Sequence, residues 1–378
     1  MSETTRQTGT LIGEPGGGPG PGNGTMDILR RWLGVFARQR EATILVVAVA
    51  LLLYFGLSNT SSFVSNANFS NLFSAIAAPI AIIAIGEVML LICGEIDLSV
   101  GFIFTLSPFV MFFLNVYYGV PALLAIICSL IFGLLVGFIN GFFTVTLGVP
   151  SFITTLGTGF ILAGLALTLS HAEPKTIPPA TISIGKYLGT DAWAQFIWAV
   201  ILVAIFHVVL TRTRWGLYTI STGGNQLGAR EAGINVGRIK YGNFMITGVL
   251  GALVGLQSAF YNNSIDPLAG GYTPMFYAVT AAVIGGTAML GGSGTILGAF
   301  LGAIALATLL DGFNVQGINA NAIPIVFGSA ILIAMVTNVQ LARVRERGRS
   351  LWHRSRRRQS QTPETCCAPS TSASGSAR

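Results

Sequence analysis

Charged side chains are scarce in this chain. Only 9% of its 378 residues are Asp, Glu, Lys or Arg, while 52% are hydrophobic; an ordinary soluble domain carries roughly 25% charged residues. This composition excludes a water-soluble globular protein. Runs of about 20 apolar residues recur along the chain, and each is long enough to cross a hydrocarbon layer about 30 Å thick as a helix. The sequence therefore predicts an all-α polytopic membrane protein.

Histidine and cysteine are also rare, with three and four residues. No His lies at ligand spacing from a Cys or a carboxylate, so we expect neither a metal site nor a catalytic centre, and we predict that the chain is not an enzyme. Cys93 and Cys128 lie in apolar segments, and Cys366 and Cys367 lie in the C-terminal tail. No disulfide framework is implied.

Lysine occurs only at 175, 186 and 240. A phosphate-binding loop needs a lysine after its second glycine, in the pattern Gly-x-x-x-x-Gly-Lys-Ser/Thr. The glycine-rich stretch at 285–295 has none, so we expect the chain itself to bind no nucleotide or other cofactor. Small residues there favour close helix packing and a sharp turn over a ligand-binding loop.

The apolar runs predict about ten transmembrane helices. Glycine-rich junctions at 94–101 and 291–294 are interpreted as tight turns or re-entrant breaks. The predicted spans are 42–58, 71–93, 99–118, 121–147, 151–170, 191–210, 241–262, 275–291, 295–313 and 321–340.

The distribution of basic residues tests this number of helices. Lys and Arg in short flanking segments prefer the cytoplasmic side of a membrane. The N-terminal arm, the loop at 211–240 and the C-terminal tail hold 19 of the 21 basic residues, all except Lys175 and Lys186. Ten spans place these three segments on one side, so both termini are predicted to be cytoplasmic. The net charge of +7 then reports topology and needs no nucleic acid, although the tail could also attract anionic lipid.

Three regions follow from this division. Residues 1–40 form a predicted flexible cytoplasmic arm, which is rich in Gly and Pro at its start. Residues 41–342 form the transmembrane domain, and residues 343–378 form a basic, disordered cytoplasmic tail.

Three carboxylates lie in the second predicted span or in the junction that follows it, and a charge at membrane depth costs at least about 2.5 to 3.5 kcal/mol. Glu87 lies inside the second predicted span, and Glu95 and Asp97 lie in the junction that follows it. One interpretation places them on a polar pathway. For Asp97 we favour a helix N-cap, because it precedes the next span after a glycine-flanked break. Glu87 has no helix end nearby and is the better candidate for a polar contact within the bundle.

The polar stretch at 211–240 is longer than a simple connection between membrane helices needs. Asn225 is a candidate N-cap, residues 226–232 can form about two helical turns, and Gly233 suits the left-handed position after a helix end. The sequence predicts a short helix on the cytoplasmic face, with a solvated turn as the alternative.

Three motifs in register resemble a known family. They are GEIDLSVG at 94–101, GGNQLGAREAGINVGRIK at 223–240 and AVTAAVIGGTAMLGGSGTILGAFLGAI at 278–304. Together they are similar to the permease subunits of ribose-type (monosaccharide) ABC importers, within the wider branched-chain amino acid and sugar permease superfamily. The resemblance covers residues 40–340. It departs at Glu95, where such permeases usually have Gly, and at residues 226–228, which replace a more acidic stretch.

The resemblance implies a type II-like ABC importer permease bundle in a bacterial inner or plasma membrane. Its implied partners are a second permease copy, a cytoplasmic ABC ATPase that binds ATP and Mg²⁺, and an extracytoplasmic solute-binding protein. The short cytoplasmic helix would contact the ATPase as a coupling helix. Its implied coupling residues are Gly224, Asn225, Ala229, Arg230, Glu231 and Gly233.

Polar residues within the spans are candidates for the path of a sugar or a related small solute, with ordinary helix contacts as the alternative. The candidates are Glu87, Glu95, Asp97, Ser99, Asn140, Gln257, Tyr261, Tyr277, Asn262 and Asn263. The loop at 171–191 is the predicted docking site for the binding protein, or a plain connector. The competing function is a self-contained ion-coupled transporter or channel that uses the intramembrane carboxylates. The identity of the solute stays open, since a separate binding protein would select it.

Overall fold

The computed structural model describes residues 40–319, together with 322, 324, 325, 328, 329 and 332. The predicted arm up to residue 39, most of the tenth predicted span at 321–340 and the predicted tail at 343–378 lie outside the described residues. The main helices are α1 (Arg40–Ser58), α2 (Asn66–Ile92), α3 (Val100–Val116), α4 (Ala122–Thr146), α5 (Ser151–Ser170), α6 (Ala194–Arg212), α7 (Arg214–Gly224), α8 (Gln226–Glu231), α9 (Val236–Asn262), α10 (Tyr272–Ile284) and α11 (Ile296–Val315).

Seven of these helices, namely α1, α2, α4, α5, α6, α9 and α11, are long and apolar enough to cross a membrane, and α3 and α10 are shorter apolar helices. The prediction of an all-α polytopic bundle is confirmed. Two predicted boundaries are wrong. The span at 275–291 ends at Ile284, because the residues that follow form a glycine-rich turn. The span at 71–93 begins at Asn66 and includes a π-helical turn at Asn71–Ala77.

Helix α9 lies at the centre of the bundle and contacts α2, α3 and α4. Glycines allow these approaches, because they place backbone against backbone. A Cβ at Gly86 would lie 2.8 Å from Thr247 Oγ1, and a Cβ at Gly251 would lie 2.7 Å from Val100 Cγ2. One apolar cluster is formed mainly by α2, α10 and α11, and a second is formed mainly by α3 and α9. Because α9 lies at the centre of the bundle, the position on α9 that a residue contacts indicates how deeply that residue lies.

Two connections re-enter the bundle, one from each face. The first re-entrant segment, residues 93–99, leaves the end of α2 and returns through two turns to Val100, which packs against Gly251 near the middle of α9. The second re-entrant segment, residues 263–271, leaves the other end of α9 and descends to Gly271, whose amide donates to Gly101 O at 3.0 Å. Since α-helices rise about 1.5 Å per residue, the distance from Asn262 to Gly251 is roughly 16 Å. The second segment therefore meets the first turn of α3, into which the first segment leads, in the interior of the bundle.

The bundle has two distinct faces. The strand face carries a two-stranded antiparallel sheet, in which β1 (Lys175–Thr176) pairs with β2 (Ser264–Ile265). Around it the loop at 171–191 is folded into the short helices Pro179–Thr181, Ile182–Gly185 and Lys186–Thr190. It packs on the end of α9, and its role as a docking site stays a prediction.

The opposite face, here the α8 face, carries α7 and α8. The predicted polar loop at 211–240 is shorter than expected, because α6 continues to Arg212 and α9 begins at Val236. Between them lies α7, which the sequence interpretation missed. Its Trp215 indole Nε1 donates to Asn243 Oδ1 at 2.9 Å, which anchors the helix to α9. The segment is a pair of packed helices rather than an extended loop.

Candidate functional site

Asp97 is the centre of a buried polar cluster formed where the first re-entrant segment enters the bundle. Its Oδ1 accepts from Ser99 N at 2.8 Å and from Ser99 Oγ at 2.6 Å, and Asn140 Nδ2 on α4 lies 3.3 Å from its Oδ2. The predicted N-cap at Asp97 is wrong, because α3 begins at Val100 and its N-cap residue is Ser99. Asp97 instead accepts an amide within the turn that precedes the helix. Local hydrogen bonding accounts for Asp97 without requiring contact with a solute.

Glu87 faces the same cluster from α2. Its Oε2 lies 3.5 Å from Asp97 N, and its Oε1 has no hydrogen-bond partner among the described residues. Asn140 Oδ1 is likewise buried without a described partner. The structure therefore brings together four of the predicted path residues, Glu87, Asp97, Ser99 and Asn140, all of them fully buried. The predicted bundle contact of Glu87 is confirmed, and a role in a solute path stays a prediction.

The backbone of the first re-entrant segment is held by α5. Ser151 Oγ accepts from Ile96 N at 3.3 Å, and Thr155 Oγ1 accepts from Leu98 N at 3.0 Å. Extended backbone in the interior needs such acceptors, since an unpaired buried amide costs about as much as a lost hydrogen bond. Sequence analysis missed these two side chains. Their spacing of four residues at the start of a span is the signal that could have found them, because it puts both on one helix face.

Glu95 lies apart from this cluster. Its Oε1 is 2.5 Å from Lys240 Nζ on α9, and the two side chains are 12% and 13% exposed. Glu95 is thus paired at the α8 face, and the structure does not place it with the buried carboxylates.

Helix α8 has the predicted capped form. Asn225 Oδ1 accepts from Gly228 N at 3.0 Å, and Gly233 adopts a φ of 81°, which confirms the predicted helix start and end. Arg230 and Glu231 are exposed, whereas Ala229 is buried against the bundle. Leu227 is 68% exposed. The helix presents an arginine, a carboxylate and an apolar side chain outward from this face.

The end of α7, just before α8, packs on both glycine-rich junctions. A Cβ at Gly223 would overlap Ile92 O at the end of α2, and Gly224 lies beside Gly292. Gly292 N in turn donates to Ile92 O at 2.8 Å. The glycines of the break at 285–295 serve close packing, as predicted.

Asn243 on α9 connects its own helix to α2 and α7. Its Nδ2 donates to Met89 O at 3.1 Å and contacts Cys93 Sγ at 3.1 Å, while its Oδ1 accepts from Trp215. Sequence analysis missed this contact. A single amide within an apolar span is costly unless it is bonded, and that was the available signal.

The strand face holds two adjacent cavities of about 300 and 290 Å³, which share Thr105. The larger lies between α3 and α9, and its polar lining is Thr105, Ser258, Asn262, Ser264 and Asp266. Of the remaining path candidates, Asn262 therefore lines a cavity. Tyr261 and Tyr277 are half-buried on α9 and α10, and Asn263 is exposed with a φ of 51°.

Gln257 on α9 is fully buried near the strand face. Its side-chain amide has no hydrogen-bond partner within the described part of the chain, and its backbone oxygen accepts from Gln195 Nε2 at 3.3 Å. Gln257 therefore lies away from the Asp97 cluster. Among the described residues, no group of three or more His, Cys, Asp or Glu side chains is arranged to hold a metal ion.

The family model described as "Branched-chain amino acid transport system / permease component" matches residues 68–336. The chain belongs to this family. As a permease component it is a multi-pass membrane transport subunit rather than an enzyme, and the family predicted from the three motifs is confirmed.

Curated relatives of this permease component include several sugar import permeases. The xylose/arabinose import permease XylH of Sulfolobus acidocaldarius is 36% identical over 79% of this chain and 85% of its own. The ribose import permease RbsC of Bacillus subtilis is 33% identical over 83% and 93%, and the fructose import permease FrcC of Rhizobium meliloti is 31% identical over 79% and 85%. No solved structure gives a significant match.

Proposed function

We propose that this chain is the membrane-spanning permease subunit of a binding-protein-dependent ABC importer for a sugar or a related small polar solute. It moves the solute inward by alternating access, driven by a separate ATPase. The family and the relatives' names support the class and the kind of solute. The observation that carries the proposal is α8, a capped helix that presents Leu227, Arg230 and Glu231 on the face bearing most of the described basic residues.

In this proposal the α8 face is cytoplasmic, and so are both termini, in a bacterial cell membrane. The exposed coupling residues contact the ATPase, which binds ATP and Mg²⁺; they are Gly224, Asn225, Arg230, Glu231 and Gly233. Ala229, also predicted as a coupling residue, is buried and packs α8 on the bundle instead. A second permease copy completes the pathway. The strand face then receives the solute from the binding protein, which docks on the loop at 171–191. The cavity lined by Asn262 and Asp266 offers hydroxyl, amide and carboxylate groups suited to sugar hydroxyls.

The test is reconstitution in proteoliposomes with the ATPase and binding protein that copurify with the tagged chain. We expect uptake that requires both ATP and the binding protein. Arg230→Glu and Leu227→Ala should each lower uptake and binding-protein-stimulated ATP hydrolysis at least tenfold, because these exposed side chains form the contact. Leu57→Ala is the matched control, since Leu57 is an 81% exposed leucine on α1. It should change neither rate.

The same preparation distinguishes the importer from the ion-coupled transporter or channel, which would use the buried Glu87 and Asp97 as its ion site. Liposomes holding this chain alone, under a proton or sodium gradient, should take up no solute. Gradient-driven uptake at the full rate without the ATPase would refute the importer proposal. Unchanged melting temperatures for the α8 variants would show that their defects arise at the contact rather than from unfolding.

A further inference from the structure

The ion pair between Glu95 and Lys240 is unusual for its position. Two ion pairs occur within residues 40–319, and the other, between Glu173 and Lys175, joins near neighbours with Glu173 72% exposed. Glu95 and Lys240 are 145 residues apart in sequence, and both side chains are largely buried. Partial burial strengthens such a pair, because less water screens the charges.

On one side, Lys240 is joined rigidly to α8. The turn after α8 is closed by two hydrogen bonds, from Gly233 N to Arg230 O at 3.0 Å and from Ile234 N to Ala229 O at 2.9 Å. Asn235 Oδ1 then caps α9 by accepting from Arg238 N at 2.9 Å. Lys240 follows in the second turn of α9. A force applied to α8 therefore moves the beginning of α9 and the ammonium group with it.

On the other side, Glu95 belongs to the first re-entrant segment. That segment is not helical at residues 95–97, so the α-helical hydrogen bonds that would make it move as one unit with α2 are interrupted there. It is tied to α5 through Ile96 and Leu98, and it leads directly into α3. Gly101 is the second residue of α3, and its carbonyl oxygen accepts a hydrogen bond from Gly271 N of the second re-entrant segment. The position of the first segment thus determines the contact between the two segments.

We propose that the Glu95–Lys240 ion pair is the positioning contact through which movement of α8 reaches the first re-entrant segment and, through α3, its junction with the second. This inference rests on the proposed function, since it assumes an ATPase that moves α8. The pair transmits displacement and contacts no solute. Without it, the ATPase cycle would proceed but would move the interior of the bundle less.

The experiment uses the complete importer in proteoliposomes and measures solute taken up per ATP hydrolysed. Glu95→Gln and Lys240→Gln should each lower this ratio about tenfold, while basal ATP hydrolysis stays within about twofold of the unmodified protein. The double charge reversal Glu95→Lys with Lys240→Glu should restore the ratio to within about threefold. Glu41→Gln is the matched control, because Glu41 lies on α1, which packs on α11 instead, and it should leave the ratio unchanged.

Melting temperatures of the four variants show whether a lowered ratio of uptake to ATP hydrolysis comes from lost coupling or from lost stability. A lowered ratio with an unchanged melting temperature, rescued by reversal, supports the proposal. Single variants with a normal ratio would overturn it, and so would a double reversal that is worse than either single change. If the unmodified chain shows no ATP-dependent uptake at all, the proposed function fails, and that outcome is distinct from a functioning importer that is indifferent to the pair.

Discussion

Gly101→Ala is expected to lower solute uptake at least tenfold and to reduce the melting temperature of the protein. A Cβ at this position would overlap the carbonyl oxygen of Gly271, which belongs to the segment entering from the opposite face. Backbone cannot yield as a flexible side chain can, so the two re-entrant segments would have to separate. Overpacking of this kind typically costs about 1 to 3 kcal/mol. Uptake by the reconstituted importer and thermal unfolding of the purified chain check the prediction.

Gly157→Ala on α5 is the matched control. No described atom lies within 4 Å of the position that its Cβ would take, so both measurements should stay within error of the unmodified protein. Since alanine favours helix formation over glycine, a slightly raised melting temperature is also consistent. Normal uptake by Gly101→Ala would show that the contact between the segments is not required.

The two buried carboxyl groups, those of Glu87 and Asp97, should respond differently to replacement by an amide. Asp97→Asn is expected to reduce uptake at least tenfold, whereas Glu87→Gln should leave it within about twofold. The Asp97 carboxyl oxygens accept hydrogen bonds from Ser99 N, Ser99 Oγ and Asn140 Nδ2, so three donors depend on them. An asparagine at position 97 would place its own NH2 group, which is a donor, against the donors of Ser99 and Asn140. Glu87 receives one long contact from Asp97 N, and a neutral amide oxygen can accept it equally well.

Uptake measured between pH 6 and 8 completes this comparison. The Glu87→Gln protein should show the same dependence on pH as the unmodified importer. A complete loss of uptake in Glu87→Gln, with Asp97→Asn unaffected, would contradict the importance of the hydrogen bonds that the Asp97 carboxyl group accepts. It would favour a proton-coupled role for Glu87 instead.

Features that depend on neighbours in sequence could be predicted from the sequence. Asn225 and Gly233 mark the two ends of α8, because capping and the left-handed turn involve residues only a few positions apart. The apolar spans were found for the same reason. The amphipathic helix α7 was missed, because its polar composition resembled that of a loop, and its anchor is the contact between Trp215 and Asn243 on another helix.

Long-range contacts could not be predicted in this way. The sequence offered Glu87, Asp97 and Asn140 as separate candidates, and only the packing of α2 and α4 around the first re-entrant segment brings them together. It also offered Glu95 alongside them, although the side chain turns toward Lys240. The depth of the second re-entrant segment depends on the contact of Gly271 with Gly101. Neither glycine differs in sequence from many others in the chain.

The shortness of α10 bears on how the chain is inserted into the bilayer. Its 13 residues span only about 20 Å as a helix, less than the roughly 30 Å of hydrocarbon that a segment inserting alone must cross. Gly285 packs against the backbone of Gly298 on α11, so α10 and α11 are suited to enter together as a helical hairpin. The segment at 263–271 can settle only after α3 and α9 are in place, because it continues from α9 and Gly271 N donates to Gly101 O on α3. We therefore expect the interior junction to be the last part of the described bundle to form during biogenesis.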